Sequence, residues 1–193
     1  KGRDDKVWMA SRYEGLVYFD IKRRQFSTPY THDPSNPNSL SHSATLAVLE
    51  DGLGRMWVGT DGGALNLFDR EKEVFYRYLP DPSKTNSFQG RNIMDIAEDR
   101  AGNIWVGTFF GGIMRFNHHD FISYTPSEGL VSNQILSINE DEKGDIIVDL
   151  PYAENCSLWI DHHHSNRKDA AKGIFDATKK SSPGLIYEHF KAE

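Results

Sequence analysis

Residue types suited to metal or proton chemistry crowd into one short stretch of this chain. Asp161, His162, His163 and His164 follow the apolar run 158–160, and Asp149 closes an earlier apolar run at 146–148. Carboxylate oxygens and imidazole nitrogens are donors for divalent metal ions. Fully apolar strands ending in polar groups are the pattern of a parallel α/β sheet, where both faces are covered and ligands collect at the carboxyl ends. Three adjacent histidines cannot all face one ion, so the bland reading of the run is a solvated loop or an adventitious chelator. Farther on, Ser182 as N-cap and Pro183 at the first position predict a helix start, with Ile186 and Phe190 on one face.

The whole chain narrows the functions open to those residues. Among 193 residues, 22 basic and 28 acidic side chains leave a net charge of -6, with no basic block to act as a footprint for nucleic acid. No apolar run approaches the roughly 18 residues needed to span a bilayer. The chain opens with Lys1 and reaches strand-like sequence by Val7, which reads as a piece of a longer gene product. Cys156 is the single cysteine, so an intrachain disulfide and a Cys-rich zinc site are both excluded.

Before that stretch the sequence repeats itself. Glu50-Asp51-Gly52-Leu53-Gly54-Arg55-Met56-Trp57-Val58-Gly59-Thr60 returns as Glu98-Asp99-Arg100-Ala101-Gly102-Asn103-Ile104-Trp105-Val106-Gly107-Thr108. Each copy is followed by a glycine pair, Gly62-Gly63 or Gly111-Gly112, and a further apolar run. Trp57 and Trp105 lie 48 residues apart, and Trp8 lies 49 residues before Trp57. Within each period, apolar alternation of period 2 broken by Asp and Gly turns is the signature of short antiparallel strands. In the third copy the strands fall near 93–98, 103–108, 113–117 and 121–124. Four strands per period of about 48 residues is the arithmetic of a β-propeller blade.

On that reading the tryptophans fill the wedge between neighbouring sheets, and the glycine pairs are turns needing positive φ or close backbone approach rather than phosphate loops. Two intervening loops, 31–42 and 79–88, each hold an Asp-Pro-Ser step, at Asp33-Pro34-Ser35 and Asp81-Pro82-Ser83. They fall on one face of a propeller, where a ligand is met. A fourth copy begins at 135 and keeps Glu140-Asp141 and Gly144, but Asp145-Ile146-Ile147-Val148-Asp149 stands in place of the tryptophan strand.

The three copies, over about residues 5–143, resemble the repeats of two-component regulator propellers. The resemblance implies a sensory module of a membrane-spanning histidine kinase or hybrid regulator. Its implied partners are a glycan or small-molecule ligand at the propeller face and the remaining blades or kinase portion of a larger protein. The later stretch, with Asp149-Leu150-Pro151-Tyr152, Asp161-His162-His163 and Ser182-Pro183-Gly184-Leu185-Ile186-Tyr187-Glu188, resembles the DHH phosphoesterase family. That resemblance implies hydrolysis of phosphodiesters or polyphosphate with manganese, Asp149 and His162 as metal ligands, and Asp161 and His163 supporting the site or contacting phosphate. The family's first Asp-rich motif and its C-terminal substrate domain have no counterpart here.

The expected architecture is therefore mainly β: a partial β-propeller of four-stranded antiparallel blades over 1–143, followed by a small, truncated α/β segment over 144–193. Two functions compete, a non-enzymatic sensing or interaction module and a manganese phosphoesterase with an appended propeller. A third possibility is an artefactual join of two genes near 143–146. The compartments differ with the reading, periplasmic for the propeller and cytoplasmic for the phosphoesterase.

Overall fold

The computed structural model describes residues 5–81, 83–84, 88–130 and 132–150, together with the backbone of Trp159–Asp161 and Gly173–Phe175. The expected helix start at Ser182 and the histidines at 162–164 lie outside the described residues.

Strands β1 (Lys6–Ser11), β2 (Gly15–Asp20) and β3 (Gln25–Phe26) make a three-stranded antiparallel sheet, called blade 1. Blade 2 has four strands in sequence order, β4 (Thr45–Glu50), β5 (Met56–Thr60), β6 (Ala64–Asp69) and β7 (Val74–Tyr78). Blade 3 repeats it with β8 (Ile93–Glu98), β9 (Ile104–Thr108), β10 (Ile113–Phe116) and β11 (Phe121–Tyr124), within one residue of the sequence expectation at each strand end. The pairing is that of meanders, with Val58 opposite Val48 and Asn66, and Val106 opposite Ile96 and Met114.

Each hairpin between the first and second strand of a blade is closed by the same device. Asp51 accepts Gly54 N at its backbone oxygen (2.8 Å), and its carboxylate accepts the backbone N–H groups of Leu53 and Arg55. Asp99 with Gly102 and Asn103, and Asp141 with Gly144 and Asp145, repeat the pattern. Gly54 and Gly102 both adopt φ 83°, a left-handed value that costs glycine little.

Blades stack face to face through three apolar clusters. Leu16, Trp8 and Tyr30 meet Met56, Val58, Phe68 and Phe75 between blades 1 and 2. Trp57, Leu65 and Tyr78 meet Ile93, Ile104, Val106, Phe116 and Phe121 between blades 2 and 3. Because β5 is covered on both faces, all five of its residues are buried and polar alternation vanishes.

The fourth copy departs from expectation. Asp145 to Asp149 were expected to open a parallel sheet, with 146–148 lying beside 158–160. Instead β12 (Ser137–Glu140) and β13 (Ile146–Asp149) pair antiparallel as a blade hairpin, and Ile146, Val148 and Leu150 pack with Ile113, Ile135 and Trp105. The cause is that Asp141 and Gly144 preserve the turn, and apolar residues at 146 and 148 fill the seat that Ile104 and Val106 fill one blade earlier. Parallel pairing does occur, between β14 (Trp159–Asp161) and β15 (Gly173–Phe175), in a sheet of their own.

Candidate functional site

The loops after the fourth strand of each blade and the turns joining its second and third strands emerge at one end of the strands. This end, here called the loop face, gathers residues from three successive blades. Its frame is backbone-rich. Thr60 Oγ1 donates to Ala64 O (2.8 Å) and Thr108 Oγ1 to Gly112 O (2.9 Å), so the threonine ending each Trp-Val-Gly-Thr strand locks the following turn. Gly112, with φ 74°, sits against the backbone of Tyr124, leaving no room for a Cβ.

On this frame Asp61 forms a bridge between blades. It pairs with Arg12 from the turn of blade 1 (3.2 Å) and accepts Asn92 Nδ2 from the entry to blade 3 (2.5 Å). Backbone bonds from Asp61 N to Ala44 O, and from Gly62 N and Ala64 N to Arg91 O, fix the turn between the two flanking loops. The Arg12–Asp61 pair is half-exposed, so in solution it contributes under about 1 kcal/mol and acts mainly as a positioning contact. Two aromatic side chains project from the equivalent turns of blades 1 and 3, on either side of the blade 2 turn that carries Asp61: Tyr13 is 87% exposed and Phe110 is 66% exposed. Exposed rings beside a polar network suit a ligand with both apolar and hydroxyl surface.

The Asp-Pro-Ser loops are held rather than open. Asp33 accepts Ser35 N and Oγ (2.8 and 2.6 Å), and Asp81 accepts Ser83 N and Oγ (3.1 and 2.6 Å). The Ser35 hydroxyl and backbone lower the Asp33 carboxyl pKa, and the Ser83 hydroxyl with Lys84 lowers that of Asp81. The Arg77 guanidinium ties the first loop to β7 through Ser39 O (2.9 Å) and Asn36 O (3.1 Å). Both carboxylates serve turns of their own loops.

Of the residues singled out for metal chemistry, Asp149 and Asp161 end strands of separate sheets. Asp149 ends β13, is 8% exposed, and its backbone oxygen accepts Leu136 N (2.9 Å) across the β12–β13 hairpin. Asp161 ends β14, for which the backbone alone is described, and His162 and His163 lie outside the described residues. Among the described residues no cluster of three or more His, Cys, Asp or Glu side chains is placed to hold a metal ion. The geometry expected to bring Asp149 beside residue 162, two adjacent parallel strands, is replaced by the β12–β13 hairpin. Of the four residues, Asp149 alone has its side chain among those described.

Arg12, Tyr13, Asp61, Asn92 and Phe110 escaped the sequence reading. One signal was present: the third copy carries Phe109-Phe110 between its threonine and glycine pair, where the second carries Asp61 alone. That the two turns share a face with Arg12 and Asn92 follows only from blade stacking.

Comparison with known proteins gives the same repeats a family description. The two component regulator propeller model matches residues 39–62 and 87–110, so the chain carries two copies of that repeat. The fold is similar to the extracellular domain of BT3049, described as a hybrid two component system of B. thetaiotaomicron, with 23% identity and a TM-score of 0.65 over 77% of this chain and 19% of that one. It is similar also to the extracellular domain of BT4673 of the same organism, with 23% identity and a TM-score of 0.63 over 78% and 21%. PorZ, a surface component of the type-IX secretion system of Porphyromonas gingivalis, aligns with 17% identity and a TM-score of 0.56 over 72% and 21%. The chain spans about a fifth of the length of these structures. A search of the curated proteins gave no match.

Proposed function

We propose that this chain is part of the sensing region of a two-component regulator, lies outside the cytoplasm, and meets a glycan or other small polar ligand on its loop face. The observation that carries the reading is the Arg12–Asp61–Asn92 bridge flanked by exposed Tyr13 and Phe110, three blades contributing to one surface. The propeller repeats and the extracellular two component domains of similar fold support the compartment and the regulatory setting. Among the described residues no helix is long and apolar enough to cross a membrane.

Titration calorimetry against a panel of neutral and acidic oligosaccharides tests this. A ligand is expected whose affinity falls at least tenfold in Tyr13→Ala and in Asp61→Ala, with the fold unchanged by circular dichroism. A ligand insensitive to both changes would place binding elsewhere.

A second reading, a DHH-type phosphoesterase over 144–193, is favoured by the parallel pairing of Trp159–Asp161 with Gly173–Phe175. The chain as it stands is expected to show no hydrolysis of phosphodiester or polyphosphate above background, because blade sequence occupies the place of the family's first motif. Manganese-dependent turnover that vanishes in Asp161→Ala would establish this second reading instead.

A further inference from the structure

The junction between blades 2 and 3 carries a charge that the fold does not use. Arg91 stands two residues before β8, in the segment that leads from blade 2 into blade 3. Its backbone is pinned on both sides. Arg91 O accepts Gly62 N (2.9 Å) and Ala64 N (3.2 Å) from the turn of blade 2, and the next carbonyl, Asn92 O, accepts Phe109 N (3.0 Å) from the turn of blade 3. Asn92 Nδ2 adds the bond to Asp61. Carbonyls and the Asn92 amide thus hold the segment in place. The Arg91 side chain is exposed and makes no hydrogen bond or ion pair among the described residues.

The repeat itself calls for no arginine here. Gly112 N bonds Asn133 O as Gly62 N bonds Arg91 O, so Asn133 holds the equivalent place at the next junction. Asp61 N bonds Ala44 O as Phe109 N bonds Asn92 O, which puts Ser43 in that place at the junction before. Serine, arginine and asparagine share one repeat position, and the arginine alone brings charge.

The other charges at the loop face are committed. Arg12 is paired with Asp61, Lys84 with Asp81 (3.1 Å), and Arg77 with the carbonyls of Ser39 and Asn36. The carboxylates of Asp33, Asp81 and Glu128 accept hydrogen bonds within their own loops. Arg24 and Lys143 are exposed as well, but they lie in turns at the opposite end of the strands. Glu14 is the opposing charge without a partner among the described residues, and it sits on the blade 1 turn. An anionic group is therefore drawn to the side of blades 2 and 3.

The surroundings of Arg91 suit a sugar. Phe110, on the turn bonded to Asn92, is 66% exposed, with its ring edge-on to Phe109 at 4.6 Å. Gly62 has φ 96°, and a Cβ built on it would meet nothing within 4 Å, so the backbone bonded to Arg91 O is bare and open. A guanidinium offers parallel N–H groups that match the two oxygens of a carboxylate, and an exposed ring offers apolar surface to the C–H face of a sugar.

We propose that Arg91 is the charge-reading position of the loop face, and that the ligand met there is an oligosaccharide bearing carboxylates, an oligouronate, with Phe110 against a sugar ring. This rests on the loop-face ligand proposed above and gives it a chemical class.

Matched ligands test it. Oligogalacturonate, oligomannuronate and hyaluronan oligomers are each titrated into the chain by calorimetry, beside the same oligomer with its carboxyls reduced to primary alcohols. One uronate is expected to bind about tenfold or more tighter than its reduced form. Arg91→Gln should bind the two forms alike, with an unchanged melting temperature because the side chain holds nothing in the fold. Arg91→Lys should keep part of the preference, since it retains the charge without the fork, and Phe110→Ala should weaken both forms equally. A preference for the uronate that survives Arg91→Gln would overturn the proposal, as would equal binding of the two forms by the unaltered chain. In either case, weakening by Tyr13→Ala and Asp61→Ala would leave the loop-face reading standing. Absence of binding by every oligomer, charged and reduced, would overturn both.

Discussion

Trp57 Nε1 donates to Asp51 Oδ2 at 2.8 Å, and the same carboxylate receives the Arg55 guanidinium at 2.6 Å. Burial pushes the Asp51 carboxyl up, but the Trp57 indole and the Arg55 backbone and guanidinium outweigh it and hold its pKa below the usual range. Asp99, with Trp105 and Asn103, is lowered in the same way. A carboxyl whose folded pKa is depressed contributes stability that is present above its unfolded pKa, near 4, and is lost as pH falls through the folded value. The urea midpoint is therefore expected to drop between pH 5 and pH 2.5, and less steeply in Asp51→Asn. Asp95 works in the opposite sense. Burial raises its pKa against the backbone N–H groups of Ile138 and Ile96, so its protonation favours the fold as pH falls, and Asp95→Asn should steepen the loss. Trp57→Phe keeps the ring but removes the donor from a buried carboxylate, and is expected to cost about 1–3 kcal/mol in urea unfolding. Ala64 has φ 96° where Gly15 and Gly112 have 81° and 74°. Ala64→Gly should relieve the left-handed strain and raise stability by about 1 kcal/mol, read from the same denaturation curves.

At the scale of strands and blades, the repeated Glu-Asp pair divides its labour. The aspartate closes its own hairpin, while the glutamate reaches back to the blade before it: Glu98 accepts Gly52 N at 2.6 Å, and Glu140 accepts Arg100 N at 3.1 Å. Glu98→Ala is expected to destabilise the chain by about 0.5–1.5 kcal/mol, the net worth of one such hydrogen bond, with Glu98→Gln recovering part of it. The glycine in the second strand of blades 2 and 3, Gly59 and Gly107, sets how closely blades approach. Gly107→Ala would place a Cβ 2.6 Å from Ile135 Cγ2 and is expected to cost about 1–3 kcal/mol by overpacking. The double variant Gly107→Ala/Ile135→Val should recover part of that loss, because the two positions share one contact and their effects are not additive.

Across the whole molecule, each blade draws its core from its neighbours, so protection should be greatest where a blade is covered on both faces. Native-state hydrogen exchange is expected to be slowest in β5, whose five residues are all buried, and fastest in β3, whose two residues are both exposed. Much of this arrangement was legible in residue order. The 48-residue spacing of Trp57 and Trp105, the Asp and Gly turns and the period-2 alternation are local properties, and they determined the blades, their strands and their number in the chain. The fourth copy shows where local reading stops. Ile146-Ile147-Val148-Asp149 is compatible with a buried parallel strand or a blade strand, and an apolar run by itself carries no partner. Only packing against Ile113 and Ile135, with the turn at Asp141 to Gly144 closed, selected the antiparallel hairpin. The loop face belongs to the same class of outcome, since Arg12, Asp61 and Asn92 are 49 and 31 residues apart in order. Sequence by itself determined the repeating unit because hydrogen-bonded turns and strand alternation are short-range. Tertiary structure alone decided which surfaces the units share, because stacking brings together side chains a whole period apart.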